Sequence, residues 1–328
     1  MTGLFAIRCP ACSCREGEGV AWGEDLLLRL PGRFAVVRCT QCGLHQSWPE
    51  LAPESLREYY PESYYGTIPQ PPTIKHREYL LGLGRRLYRR IAGGAAVSYL
   101  GCRLPPSWVE WVLPMRREPG ALLDVGAGVG RFVGGAKSLG WRPEALDMGS
   151  VVVRVGGSLN IPVYQGTLEE VIPQLHRMER RYDLMSLNHV LEHLPCPVRA
   201  LRGACEVLAD GGVIRIQIPL WRQAFVRIFR TYWSALDLPR HRWHFSPADI
   251  RRIAKEVGLD RTLYLPETGT HPLSSSLRLW MRDHPWWQRW QGIGSVDNHL
   301  TRGILFPLGW CLAVLGRPLE ATFYLMRA

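Results

Sequence analysis

The spacing of apolar and polar positions changes period several times along the chain, and each change marks an element. Ala121 to Val125 is an apolar run broken only by Asp124, with the length of a strand buried on both faces. Glycines follow at 126, 128 and 130, and Arg131 to Leu139 continues as a helix closed by Gly140. A second apolar stretch, Glu144 to Asp147, ends in an acid 23 residues after Asp124. Tyr182 to Asn188 reads as a further strand, and Leu208 to Pro219 as a Gly-Gly turn feeding an alternating, β-branched strand that Pro219 ends. Ser246 to Gly258 has an N-cap serine, Pro247 at the first helical position and a glycine stop. Its Ile250, Ile253, Ala254 and Val257 fall on one face. Ala321 to Met326 alternates as a last strand. Strands alternating with helices imply an α/β fold around a largely parallel sheet. There is no internal repeat or low-complexity tract.

The three glycines lie on a strand-to-helix turn, where a residue without Cβ lets a ligand approach the main chain at the head of a helix. They do not make the dinucleotide pattern G-x-G-x-x-G: counted from Gly126 the last place holds Arg131, and counted from Gly128 it holds Val133. An acid followed by G-x-G-x-G, here Asp124, Gly126, Gly128 and Gly130, instead resembles the first motif of class I S-adenosylmethionine (SAM)-dependent methyltransferases. Tyr182 to Pro197 resembles the segment after the fourth strand of that family, and Leu208 to Pro219 its fifth strand. The resemblance covers residues 119 to 260 well and the C-terminus loosely. It implies a doubly wound, Rossmann-like sheet of seven strands whose last strand inserts antiparallel to its neighbours. It also implies a SAM site formed by Asp124, Gly126, Gly128, Gly130, Asp147, Asn188 and His189. A carboxylate at the tip of the second strand accepts hydrogen bonds from a ribose diol. Asp147 fits that place, and it fits equally a turn or helix-capping acid.

The first sixty residues carry a different signal. Cys9-x2-Cys12 and Cys39-x2-Cys42 are two thiolate pairs 26 residues apart, with Pro10 and Gly43 shaping tight turns, the spacing of a zinc ribbon. A segment of this size has little core of its own, so a structural Zn2+ would complete its fold. Cys14 is an extra thiol that competes as a ligand, whereas Cys102, Cys196, Cys205 and Cys311 are scattered. Disulfides are the alternative; an odd total of nine cysteines with no signal peptide ahead of them fits a reducing cytoplasm better. The expected organisation is a ribbon over residues 1–60, a helical linker or lid over 61–118, and a methyltransferase domain over 119–328 with roof insertions near 220–245 and 266–318.

A formal charge of +11 and 13 tryptophans point toward anionic partners, among them nucleic acid, a nucleotide-linked sugar and a membrane surface. Lys75 to Arg90 interleaves six basic residues with leucines as a basic amphipathic helix, either a peripheral membrane or phosphate contact or a lid with a solvated face. Ile304 to Leu315 is apolar but too short to cross a bilayer. Proline clusters at Ile68 to Pro72 and Leu113 to Pro119 read as linkers.

For chemistry, His193 on the turn after the fourth strand is a candidate base, with local hydrogen bonding as its alternative. Pro239 to Ser246 resembles an element of bacterial zinc-ribbon methyltransferases. Its His241 and His244 are candidate catalytic residues on one face if helical, and Arg240 a clamp for an acceptor phosphate or carboxylate; the alternative is that these side chains pack the roof onto the sheet. The expected reaction is methyl transfer to a small molecule, such as a sugar, glycolipid precursor or secondary metabolite, anionic or lipid-linked. An RNA methyltransferase holding nucleic acid on the ribbon and basic helix is the second reading, and a non-catalytic scaffold the third.

Overall fold

The computed structural model describes residues 3–61, 64, 119–138, 140–284 and 299–328. The basic helix expected over Lys75 to Arg90, the linker at Ile68 to Pro72, nearly all of the 61–118 lid and Cys102 lie outside the described residues.

The larger of two sheets is built from β5 (Ala121–Val125), β6 (Arg142–Asp147), β7 (Val163–Gln165), β8 (Tyr182–Asn188), β9 (Leu208–Pro219), β11 (Arg261–Pro266) and β12 (Glu320–Met326), in the order β11-β12-β9-β8-β5-β6-β7. Strands β5 to β9 are parallel, while β12 runs antiparallel to both β9 and β11. The chain starts at β5, winds outward to β7, then returns to place β8 on the other side of β5. Crossovers therefore leave β5 in opposite directions, and a crevice opens beyond the carboxyl ends of β5 and β8. Helices α2 (Arg131–Ser138), α3 (Val151–Leu159), α4 (Leu168–Arg177), α5 (Pro197–Glu206) and α7 (Pro247–Glu256) alternate with these strands, while α1 (Pro53–Arg57) follows the N-terminal strands and α6 (Gln223–Phe229) follows β9. Helix α7 begins as expected, with Ser246 and Asp249 capping reciprocally. Strands β11 and β7, which the sequence pattern did not single out, form the two edges of the sheet.

The smaller sheet has the order β1-β2-β3-β4-β10 and is antiparallel: β1 (Leu4–Ala6), β2 (Glu16–Gly23), β3 (Phe34–Cys39), β4 (His45–Trp48) and β10 (Trp243–His244). Its fifth strand comes from the region after β9, pairing His244 with His45 and Trp243 with Gln46. Ile7, Ala35, Val37 and Leu44 of the N-terminal segment belong to one continuous core with Leu123, Leu187 and Phe245. Phe34 and Val36 pack into a second cluster with Trp233, Leu236 and Leu238. The N-terminal segment is thus joined to the α/β body by a shared sheet and core, with residues 220–245 at the joint. C-terminally, α8 (His271–Asp283) and α9 (His299–Val314) follow, the latter running through Pro307. Among the described residues no helix is long and apolar enough to cross a membrane.

The joint carries an acid-sensitive group. His45 is buried, its ring stacks on Trp221 at 4.2 Å, and its Nδ1 has no hydrogen-bond partner. Burial, with Arg38 nearby, pushes its pKa from 6.5 to about 4. The unfolded chain therefore takes the proton first as pH falls, so this contribution to stability is complete above pH 6.5 and is lost as pH falls toward 4. His45→Phe is expected to reduce the stability lost between about pH 7.5 and 4.5 by roughly 2–3 kcal/mol, read from urea unfolding at the two pH values. An unchanged acid limb would rule this out.

Candidate active site

Where β5 ends, the chain turns through Gly126, Gly128 and Gly130 with φ of +68°, +51° and +76°. The Gly126 and Ala127 amides donate to the Leu146 carbonyl at 2.7 and 3.0 Å, which seats the turn on β6. A Cβ at Gly126 would lie 2.3 Å from Val190 Cγ2, and one at Gly130 2.5 Å from Val155 Cγ1, whereas one at Gly128 meets nothing among the described residues within 4 Å. Packing requires the outer glycines, and the middle one faces open space. The turn amides of residues 126, 127, 128 and 130 are all donated within the protein, so the glycines provide room for a ligand more than hydrogen bonds to it.

Asp147, at the tip of β6, accepts from the Gly128 amide at 2.8 Å and the Gly149 amide at 2.7 Å. It is therefore a turn acid, yet each carboxylate oxygen retains a lone pair for a further donor. Burial raises its pKa, against those two hydrogen bonds.

Asp124 is 2% exposed and lies beneath the turn. Its Oδ1 accepts from Ser186 Oγ at 2.6 Å and Asn188 Nδ2 at 3.2 Å, and burial pushes its pKa to about 7. Asn188 Oδ1 in turn accepts from Arg215, whose other amino group donates to Gln217 at 2.9 Å and whose guanidinium lies over the Phe132 ring. Asp124 and Asn188 therefore tie the carboxyl ends of β5 and β8 together. Sequence reasoning passed over Ser186, Arg215 and Gln217; the signal was the pair of polar residues between Ile214, Ile216 and Ile218. His189 follows with φ +53°, its amide bonded to the Gln217 carbonyl and its side chain 44% exposed.

The turn after β8 brings Glu192 and His193 against His241 from the joint. Arg242 and Trp243 donate their amides to the Glu192 carbonyl at 2.8 and 3.1 Å, and Trp243 Nε1 donates to the Leu194 carbonyl at 2.7 Å, fixing the two segments. His193 Nδ1 lies 3.0 Å from the Arg240 carbonyl and 2.9 Å from the Tyr60 hydroxyl. His241 Nδ1 lies 2.9 Å from the Ala235 carbonyl, with Nε2 4.0 Å from Glu192 Oε1 and 3.9 Å from Asp237 Oδ2. Burial, then His241, push the His193 pKa down to about 4. Burial favours a neutral Glu192, but His189, His193 and His241 outweigh it and hold this carboxyl below its usual range.

Two assignments made from sequence take other places. Arg240 is fully buried, and its five N–H groups are engaged by both carboxylate oxygens of Asp25, by Asp237 and by the Tyr59 carbonyl. None remains to clamp an acceptor, so Arg240 is a structural anchor. His244 is in β10, not on a helix with His241, and its Nε2 lies 3.2 Å from Ser47 Oγ. That hydroxyl donates to the His241 carbonyl at 2.6 Å, so His244 is the donor to it and faces the ribbon.

The sulfurs of Cys9, Cys12, Cys39 and Cys42 lie within 4.8 Å of one another, Cys9 to Cys42 and Cys12 to Cys39 each at 3.5 Å. Four thiolates about 2.3 Å from a tetrahedral zinc are spaced by about 3.8 Å, so this set fits the ion. The second turn closes through Gly43 at φ +78°, as expected, but the first through Ser13 at φ +60°. Cys14 stands outside the four, with its sulfur 3.4 Å from Thr40 Oγ1.

A seven-stranded sheet, with an antiparallel strand inserted and an open glycine turn at its switch point, defines a class of ligand-binding α/β enzymes. Residues 99–263, half of the chain, match the family model of the methyltransferase domain. The chain belongs to this family and is a SAM-dependent methyltransferase. Among solved structures it is similar to a SAM-dependent methyltransferase from Archaeoglobus fulgidus, with 15% identity, 70% of this chain and 97% of that one covered, and a TM-score of 0.46. It is also similar to a possible histamine N-methyltransferase from Thermotoga maritima, with 13% identity, coverage of 74% and 99%, and a TM-score of 0.43. No protein of curated function matches the sequence at a significant level.

Proposed function

We propose that this protein transfers a methyl group from SAM to a small-molecule acceptor of the sugar, glycolipid-precursor or secondary-metabolite type. The observation that carries the reading is the open space at Gly128, with Asp147 at the next strand tip and the Val190–His193 turn packed beside Gly126. SAM supplies a methyl group on a cationic sulfur, which a nucleophile displaces directly. The free lone pairs of Asp147 suit a ribose diol, and Gly126, Gly128 and Gly130 keep the approach clear. Asp124 and Asn188 hold the strand ends that shape the floor, and His189 flanks it.

At the acceptor end, Glu192, His193 and His241 present electron pairs to a group that becomes positive. Methylation of an O–H or N–H acceptor releases a proton, and His241 Nε2, with two carboxylates about 4 Å away, is placed to take it as an imidazolium they stabilise. Positioning of the acceptor would supply much of the rate. Cys9, Cys12, Cys39 and Cys42 would hold a structural Zn2+ that stiffens the small sheet, and through the β4–β10 pairing the segment carrying His241.

Calorimetric titration of the metal-quantified protein with S-adenosylhomocysteine (SAH), the methyl-transfer product, tests the reading without knowledge of the acceptor. Micromolar affinity, about −8 kcal/mol, is expected. No binding by folded, zinc-loaded protein would overturn it.

A further inference from the structure

The joint between the two sheets poses a hydrogen-bonding problem. Glu192 is 1% exposed, and among the described residues neither carboxylate oxygen has a hydrogen-bond partner. A buried carboxylate left so is costly. His189 Nδ1 stands 3.6 Å from Oε1, beyond hydrogen-bond distance, and His241 Nε2 stands 4.0 Å away. A carbonyl oxygen only accepts, so the contact of His241 Nδ1 with Ala235 places the proton of that ring on Nδ1 and its lone pair on Nε2. His193 Nδ1 lies between the Arg240 carbonyl, which accepts, and the Tyr60 hydroxyl, which can donate or accept, and the neutral ring offers its lone pair on whichever nitrogen lacks the proton. Backbone carbonyls that hold Nδ1–H in this way orient histidines that ligate metals through Nε2. One ligand atom from each of Glu192, His193 and His241 lies within 4.8 Å of the other two. An ion centred among atoms 4.0–4.8 Å apart stands roughly 2.3–2.8 Å from each, so contraction by a few tenths of an ångström reaches bonds of about 2.0–2.2 Å.

We propose that Glu192, His193 and His241 form a metal site distinct from the cysteine cluster, taking a divalent transition cation such as Mn2+, Fe2+ or Zn2+. Two imidazole nitrogens and one carboxylate match the borderline ions Fe2+ and Zn2+, and admit the harder Mn2+, better than they match Ca2+ or Mg2+, which prefer oxygen ligands alone. Three protein ligands leave coordination positions open, as catalytic sites do. Since Glu192 and His193 follow the turn beside Gly126, the open positions belong to the acceptor end, which deepens the reaction proposed above. The ligand is then an acceptor with an oxygen able to bind the ion, and the proton-taking role assigned to His241 passes to groups other than the coordinated imidazoles.

The test uses Mn2+ as the probe on the full, zinc-loaded chain, because Mn2+ favours nitrogen and oxygen over thiolate. Electron paramagnetic resonance should count one bound Mn2+ per chain with nitrogen couplings from imidazole, while mass spectrometry shows the thiolate-bound zinc retained. Glu192→Gln and His241→Ala should each weaken Mn2+ binding at least about 100-fold at unchanged zinc content in protein that still unfolds cooperatively. Failure of wild-type protein to bind Mn2+, a bound ion without nitrogen couplings, or binding indifferent to both substitutions would overturn the site. If the variants do not fold, the couplings of the wild-type complex decide alone. SAH affinity of the wild type is read separately, so loss of the cofactor assignment and loss of the metal site are distinguishable.

Discussion

Gly128→Arg is expected to abolish SAH binding, weakening it by more than about 100-fold, or about 2.7 kcal/mol, while zinc content is unchanged. The expectation depends on the direction in which a side chain at this position points. A Cβ here meets nothing among the described residues within 4 Å, so the side chain starts into open space on the side assigned to the ligand. The backbone at φ +51° adds a strain of about 1–2 kcal/mol, which lowers stability without unfolding an α/β domain. Gly126 offers the contrast: a Cβ there sits 2.3 Å from Val190, so substitution damages the fold first. Calorimetry on Gly128→Arg protein that still unfolds cooperatively separates the two effects, and retained micromolar affinity would refute the assignment of this turn to the cofactor.

Asp25→Ala should cost about 3–5 kcal/mol of stability, a large share of the 5–15 kcal/mol typical of folded proteins. Arg240 and Asp25 are both fully buried, and removal of the carboxylate strands two donors of a guanidinium that has no access to water. Asp25 is itself tied down by the amides of Leu27 and Leu28, so the pair bolts the β2–β3 connection to the joint. Replacing all three charges together, Asp25→Leu, Asp237→Leu and Arg240→Met, should cost much less than Asp25→Ala alone, because no charge is left unpaired. Urea unfolding of zinc-saturated protein measures both. A cost below about 1 kcal/mol for Asp25→Ala would show that the triad does not hold the joint.

What was legible in the sequence was local in origin. The apolar runs of β5, β8 and β9, the glycines at 126, 128 and 130, the serine cap and glycine stop around α7, and the cysteine pairs are each encoded by residues a few positions apart. Backbone conformation responds to such neighbours directly, through missing Cβ atoms, capping side chains and alternating burial. Strand β11 escaped because an edge strand of partly buried residues has a weak pattern.

The chemistry of the polar residues was decided by tertiary packing. Arg240 read as an acceptor clamp until Asp25, 215 positions away, proved to occupy it. His241 and His244 are three positions apart and looked equivalent; an extended backbone turns one toward Glu192 and the other toward Ser47. Sequence determined the elements, the glycine turn and the two cysteine pairs, because these depend on short-range sterics and spacing. Only the folded structure decided that β10 completes the smaller sheet and which carbonyls and hydroxyls face the imidazole nitrogens, because a hydrogen bond is settled by whatever distant group packing brings within 3 Å.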